Sequence, residues 1–126
     1  MSFQTILRLI VDECGGGLSA ALMGLDGIPI EQVRASGEID REDPLRGDVT
    51  HAGIEFGRII GDMAKASDSL SAGRLEEAVV SLEHVRLIFR SVDDDLMLVL
   101  ALRPDGNLGK ARYLIWRNLV ALRDEL

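Results

Sequence analysis

The segment Leu96-Met97-Leu98-Val99-Leu100-Ala101-Leu102 decides the fold of this chain, because its seven consecutive residues are all apolar. Turn-forming residues bound it on both sides, Asp93-Asp94 before it and Pro104-Asp105-Gly106-Asn107 after it. A short apolar run between two turns is typical of a strand that is covered on both faces. We therefore predict a central strand here, in a sheet with helices on both sides.

A second doubly covered strand is predicted at Leu18 to Leu25, where apolar residues occupy both alternating faces. Asp26-Gly27 then predicts a two-residue hairpin turn, because such turns need positive φ angles. The following strand, through Val33, is more polar, and Pro29 lacks an amide donor. We therefore place this strand at an edge of the sheet.

Helical spacing of apolar residues predicts three helices. The first follows Ser2 and stops at Cys14-Gly15-Gly16-Gly17, with Phe3, Ile6, Leu7 and Ile10 facing inward. The middle helix is predicted at about His51 to Leu70 and ends before Gly73, with a core-facing stripe of Phe56, Ile60, Met63 and Leu70. The last begins near Asn107, with Leu108, Ala111, Ile115, Leu119 and Leu122 inward and with Tyr113, Trp116 and Val120 widening that face.

Two further strands, Leu75 to Glu83 and Val85 to Val92, complete the pattern, and Ser36 to Thr50 is predicted to be a surface loop. The order is helix, two strands, helix, three strands, helix. We predict an α/β fold in which residues 1–126 form a single three-layer α/β/α domain around one antiparallel five-stranded sheet.

Composition excludes several classes of function. No apolar run approaches the roughly 20 residues that cross a bilayer, and no basic amphipathic helix for a membrane surface is present. The net charge of −7, with scattered basic residues, argues against nucleic-acid binding. The single cysteine, Cys14, cannot form an internal disulfide, and the N-terminus does not resemble a secretory signal. We expect a cytoplasmic protein.

The residues that could carry catalysis form no recognisable site. Cys14, His51 and His84 are far apart in sequence, and Cys14 is expected to be a small buried residue at a helix end. Asp93-Asp94-Asp95 lacks the spaced ligands of a calcium loop and is expected to form a solvated turn. Asn107 to Ala111 lacks the first glycine and the Ser or Thr of a phosphate-binding loop. We predict no catalytic residues, no cofactor and no metal.

Two features favour association instead. Gly53, Gly57 and Gly61 recur every four residues on the middle helix and permit a close approach, either to the sheet beneath or to another helix. The third strand, around Ala78-Val79-Val80, begins a run of three strands, so that one of its sides is expected to be unpaired. Pairing of two such edges would also bring two middle helices together.

The chain resembles the roadblock family, which is related to the roadblock dynein light chain and to bacterial regulators of Ras-like GTPases. Three segments carry the resemblance: residues 20–30 (AALMGLDGIPI), with Asp-Gly at the turn and a hydrophobic-Pro pair after it, residues 73–80 (GRLEEAVV), and residues 107–112 (NLGKAR), which resemble the Leu-Gly start of the family's closing helix. The resemblance covers essentially the whole chain and includes a fold of the roadblock, longin and profilin type.

The resemblance implies a homodimer in which the third strands pair into one continuous sheet and the middle helices lie side by side on one face. It also implies that the function is the binding of a Ras-like small GTPase, as its regulator or scaffold. The candidate partner-binding residues are the exposed positions of the middle helix, Glu55, Arg58, Asp62 and Lys65. The alternative is a small-molecule sensor, for which the two apolar strands offer few polar groups.

Overall fold

The computed structural model describes residues 2–25, 27–35 and 49–126 and has the predicted order of elements. The elements are α1 (Phe3–Glu13), β1 (Gly17–Gly24), β2 (Pro29–Arg34), α2 (Val49–Ser69), β3 (Glu77–Ser81), β4 (Arg86–Ser91), β5 (Leu96–Leu102) and α3 (Leu108–Asp124). All strand pairs are antiparallel, and the order in the sheet is β2-β1-β5-β4-β3. The predicted α/β class is confirmed. Asp26 of the predicted turn and residues 36–48 of the predicted loop lie outside the described residues, and Val49 and Thr50 belong to α2.

The sheet is buried where the two apolar strands were predicted. All seven residues of β5 and six of the eight residues of β1 are buried. Side chains on one face pack with α1 and α3, and side chains on the other face pack with α2. Apolar residues at successive positions of β1 and β5 are therefore needed, because both faces of these strands are covered.

The helix ends follow local hydrogen-bonding chemistry. Ser2 caps α1, because its Oγ accepts from the backbone N–H of Thr5 at 3.2 Å. Asn107 caps α3 in the same way, with its Oδ1 accepting from the N–H of Lys110 at 3.0 Å. Each cap satisfies one of the backbone donors that a helix start leaves without an intrahelical partner. Beyond α1, Gly15 and Gly16 have φ angles of +80° and +91°, which ends the helix as predicted.

The C-terminal end of α2 contains a backbone conformation that serine tolerates poorly. Ser71 has a φ of +54°, and the N–H groups of Ser71 and Ala72 donate to the carbonyls of Asp68 and Ser67. This is a Schellman-type ending, in which glycine is the usual residue at the left-handed position. The helix was predicted to end at Gly73, and the left-handed residue that ends it lies two residues earlier, at Ser71.

We expect Ser71→Gly to stabilise the protein by about 0.5–1 kcal/mol, because glycine removes the contact of Cβ with the following carbonyl in this conformation. Urea unfolding followed by circular dichroism measures the change in the free energy of unfolding. Ser69→Gly is the matched control: it places the same substitution two residues earlier, at the last helical residue of α2, and is expected to destabilise by about 0.5 kcal/mol. Equal effects of the two substitutions would contradict this account of the helix end.

Two predicted inward faces are wrong in part. On α2, Ile60 is buried and Phe56 is partly buried, but Met63 is 46% exposed, and Leu70, just beyond the end of α2, is 78% exposed. On α3, the five residues of the predicted core stripe are buried or partly buried, but the three predicted to widen it are exposed, namely Tyr113, Trp116 and Val120. The physical reason is geometric: a helix on a sheet buries only a stripe of its surface, and these residues lie beyond it.

Candidate self-association and partner-binding surface

β3 is an edge strand, as predicted. It pairs only with β4, with Ala78 opposite Phe89 and Val80 opposite Leu87, and no strand among the described residues covers its outer side. Ala78 and Val80 point to the α2 side and pack against the core there, while Val79 lies on the opposite face and is 38% exposed. β3 therefore offers an apolar strand with one unpaired side.

The register identifies which backbone amides face the open side of β3. The N–H of Ser91 donates to the carbonyl of Glu76, and the N–H of Leu82 donates to the carbonyl of Val85. Hydrogen-bonded pairs alternate with non-hydrogen-bonded pairs along an antiparallel ladder, so every second residue between Glu76 and Leu82 bonds to β4. Ala78 and Val80 bond to β4, and the amide of Val79 points to the open edge, together with those of Glu77 and Ser81.

α2 is less completely packed than the other two helices. It is the longest helix, but among its described side chains Ile60 is the only apolar one that is fully buried, whereas α1 contributes four such residues and α3 five. Ile54, Ile59 and Met63 are large, apolar and exposed on α2. Exposed apolar side chains on one element are typical of an interaction surface.

A groove of about 700 Å³, the α2 groove, runs beside α2. α2 packs mainly on β1, β5 and β2, so the sheet beside it, at β4 and the approach to β3, forms the floor and far wall. The hydroxyl of Ser91 donates to the carbonyl of Leu75 at 2.7 Å, and Arg74 forms an ion pair with Asp94 at 2.8 Å. These two contacts hold the far wall in place.

The three glycines of α2 divide into two kinds. A Cβ at Gly53 would meet the end of the Met23 side chain, which comes from β1, so Gly53 lets α2 pack closely on the sheet and a larger residue there requires Met23 to move. A Cβ at Gly57 or at Gly61 would meet nothing within 4 Å, although both residues line the α2 groove. Of the two alternatives that the sequence left open, close packing on the sheet accounts for Gly53 alone.

The four candidate partner-binding residues are exposed, as predicted: Glu55, Arg58, Asp62 and Lys65. Arg58, Asp62 and Lys65 line the α2 groove, and Glu55 is not among its lining residues. The opposite wall adds Arg74, Glu76 and Asp93, which sequence reasoning did not select because Arg74 and Glu76 lie around the start of the predicted third strand and Asp93 lies in a turn. Polar groups in this groove therefore come from α2, from the turns and from the ends of β3 and β4, and not from the two central strands, whose apolar character argues against a ligand site.

Of the residues rejected as catalytic groups, Cys14 and His84 lie in different parts of the fold, and the side chain of His51 is outside the described part of the structure. Cys14 is buried at the end of α1, where burial raises the pKa of its thiol, and His84 is exposed in the turn between β3 and β4. Asp93 forms the predicted turn, since its Oδ1 accepts from the N–H groups of Asp95 and Leu96, both at 2.8 Å. In the described part of the chain, no three His, Cys, Asp or Glu side chains are grouped as metal ligands, and no helix is long and apolar enough to span a bilayer.

Comparison with known proteins identifies the family. A Roadblock/LC7 domain from Streptomyces avermitilis has this fold, with a TM-score of 0.79 over 98% of this chain and 97% of that one, at 14% identity. MglC from Myxococcus xanthus is 32% identical over the whole length of both chains, with a TM-score of 0.70. The chain belongs to the roadblock family. A solved MglB with a tetrameric arrangement is also similar, at 17% identity over 97% of this chain and 88% of that one, with a TM-score of 0.79. No protein-family model and no curated protein matches the sequence.

In this roadblock chain the predicted association residues lie on two adjoining elements. Ala78, Val79 and Val80 form the outermost strand, and Gly57 and Gly61 line the groove on the α2 side of the sheet. The edge and the groove adjoin because Glu77 both belongs to β3 and lines the groove. A second copy paired on β3 would therefore have direct access to the α2 groove.

Proposed function

We propose that this chain is a homodimeric, non-catalytic interaction module that binds and regulates a Ras-like small GTPase in the cytoplasm. The observation that carries the proposal is the unpaired β3 edge beside the α2 groove, in which Gly57 and Gly61 meet nothing within 4 Å. Pairing of two β3 strands would give one continuous sheet, and a second α2 helix beside the first would cover Ile54, the exposed apolar residue of α2 that lines the α2 groove.

Membership of the roadblock family supports the regulatory part of the proposal. The similar MglB with a tetrameric arrangement supports self-association as a property of this fold. Arg58, Asp62 and Lys65 supply exposed charged groups of both signs on α2, from which the paired middle helices would present them to a GTPase. Charges of both signs can steer a partner and fix its orientation, and they contribute less to affinity than apolar contacts at the centre of an interface.

The solution mass tests the dimer first. The chain has a mass of 13.8 kDa, and light scattering across a dilution series should give twice that value at all but the lowest concentrations. A mass of one chain at every concentration would contradict the paired-sheet dimer.

The GTPase part is tested with Ras-like GTPases from the same cell, loaded with GDP or with a non-hydrolysable GTP analogue. We expect binding to prefer one nucleotide state, and Arg58→Ala with Lys65→Ala to weaken it at least about tenfold through lost polar contacts. Arg117→Ala with Lys110→Ala is the matched control, since it removes one arginine and one lysine from the opposite helical layer. Equal binding to both nucleotide states would show that the chain is a passive adaptor and not a regulator.

A small-molecule sensor is the second candidate, because the α2 groove has the volume of a typical ligand site and is lined by both charged and apolar residues. A metabolite that raises the melting temperature strongly, and that competes with dimer formation or with the GTPase, would favour this candidate.

A further inference from the structure

The outward face of α3 combines exposed aromatic residues with positive charge. It contains the chain's only tryptophan and only tyrosine, and Trp116 is 61% and Tyr113 53% exposed. The two rings lie side by side, with their centroids 6.2 Å apart, and Val120 continues the apolar surface one turn further along the helix. Large aromatic side chains are costly to leave in water, and exposed Trp and Tyr residues are enriched at the centres of protein interfaces.

The charge of this surface is opposite to that of the whole molecule. α3 carries four basic residues and one acidic residue, Asp124, in its last position, although the chain has a net charge of −7. Lys110, Arg112 and Arg117 are exposed alongside the aromatic pair. A local positive field in an acidic protein attracts negatively charged partners to this one face.

A small groove of about 270 Å³ adjoins the aromatic pair, between α3 and the strands β3 and β4. Two guanidinium groups share a single carboxylate there: Arg112 Nε lies 2.7 Å from Glu77 Oε1, and Arg90 Nη1 lies 3.8 Å from Glu77 Oε2. Arg90 Nε is buried and has no hydrogen-bond partner among the described residues. A buried donor without an acceptor is uncommon, and two arginines beside one carboxylate leave capacity for a second carboxylate.

We propose that this surface, formed by the outward side of α3 and the adjoining groove, binds an acidic amphipathic segment of another protein. Leucine-like side chains of that segment cover Tyr113, Trp116 and Val120, and its carboxylates accept hydrogen bonds from Arg112 and from the arginines and lysine around it. Arginine paired with carboxylate gives the stronger and more directional class of hydrogen bond. An anionic bilayer is disfavoured because its surface extends beyond the basic face and would also lie against the acidic remainder of a chain with a net charge of −7, whereas a short segment covers the basic face alone. The proposal does not depend on the dimer or on the GTPase.

Trp116 reports directly on occupancy, because it is the only tryptophan. The probe is a short peptide with leucine at positions i, i+3, i+4 and i+7 and glutamate elsewhere, titrated into the full chain. We expect a blue shift of the emission on binding, at least about tenfold weaker binding when salt is raised to about 0.5 M, and a similar loss when glutamine replaces glutamate in the peptide.

Lys110→Glu with Arg117→Glu should weaken binding of the peptide at least about a hundredfold, because attraction becomes repulsion. Arg58→Glu with Lys65→Glu is the matched control: it makes the same change of charge on α2 and should leave the affinity for the peptide unchanged. It also separates this proposal from that of the GTPase, which the α2 pair should affect.

Three results would overturn the proposal. Equal binding of the glutamine peptide would show that the charge has no role. A blue shift with anionic phospholipid vesicles but not with the peptide would assign the surface to membranes. A blue shift that depends on the concentration of the chain alone would assign it to a second copy.

Discussion

Val79→Pro should convert the proposed dimer into monomers. The amide of Val79 faces the open edge of β3, so proline removes a donor that only a second strand would use, and its ring obstructs the approach of that strand. Each copy in a symmetric pair carries the change, so both lose a donor. We expect the association to weaken by about 2–4 kcal/mol, roughly 30-fold to 1000-fold in the dissociation constant. Light scattering across a dilution series measures it.

The protomer itself should tolerate this substitution. The hydrogen bonds to β4 come from Ala78 and Val80, and the side chain of Val79 is partly exposed. The far-ultraviolet circular dichroism of the variant should therefore match that of the wild type. Val79→Thr is the control, because it keeps both the β-branched shape and the amide, and it should remain dimeric. A fully dimeric Val79→Pro protein would show that β3 is not the strand that pairs.

The parts of the fold that were predicted best are those that depend on residues close to one another in the sequence. The wholly apolar run at Leu96 to Leu102 could only be a doubly covered strand, and the caps at Ser2 and Asn107 follow from side chains that bond to the next turn. Strand ends were predicted one or two residues too long, as for β3, because edge residues such as Leu75 are apolar and contact the core without being part of the ladder.

The outward apolar residues could not be separated from the core by pattern alone. Met63 on α2 and Trp116 on α3 follow apolar periodicity, but the sheet covers only part of each helix. Helical spacing measures which residues share a face, and it does not measure how wide a face the neighbouring layer covers. A residue that serves a partner protein has the same chemical type as one that serves the core, so only the packed structure distinguishes them.

The same limit applies to the glycine stripe of α2. Spacing of four predicts that Gly53, Gly57 and Gly61 share one side of the helix, and it gives no reason to treat them differently. The structure shows contact with Met23 at the first and open space at the other two. An isolated protomer therefore has no packing reason for glycine at Gly57 or Gly61, where helix propensity disfavours it by about 1 kcal/mol relative to alanine.

Gly57→Leu should consequently have opposite effects on the protomer and on the dimer. Leucine raises helix propensity and meets no neighbour in the protomer, so the free energy of unfolding should rise by about 0.5–1 kcal/mol when measured in the monomeric Val79→Pro background. In the wild-type background the new side chain enters the α2 groove, where a second α2 helix is proposed to lie. We expect dimer association to weaken at least about a hundredfold, or about 2.7 kcal/mol.

Gly53→Ala is the contrasting variant on the same helix and the same side. Its Cβ meets the flexible end of the Met23 side chain, which has to move within a packed layer, so this cost offsets the gain in helix propensity and the free energy of unfolding should change by less than about 1 kcal/mol. The two variants thus separate packing on the sheet from packing on a second chain. If Gly57→Leu stays dimeric with unchanged affinity, the α2 groove lies outside the dimer interface. The glycines would then need another occupant of the groove, for which the GTPase and a small molecule are the remaining candidates.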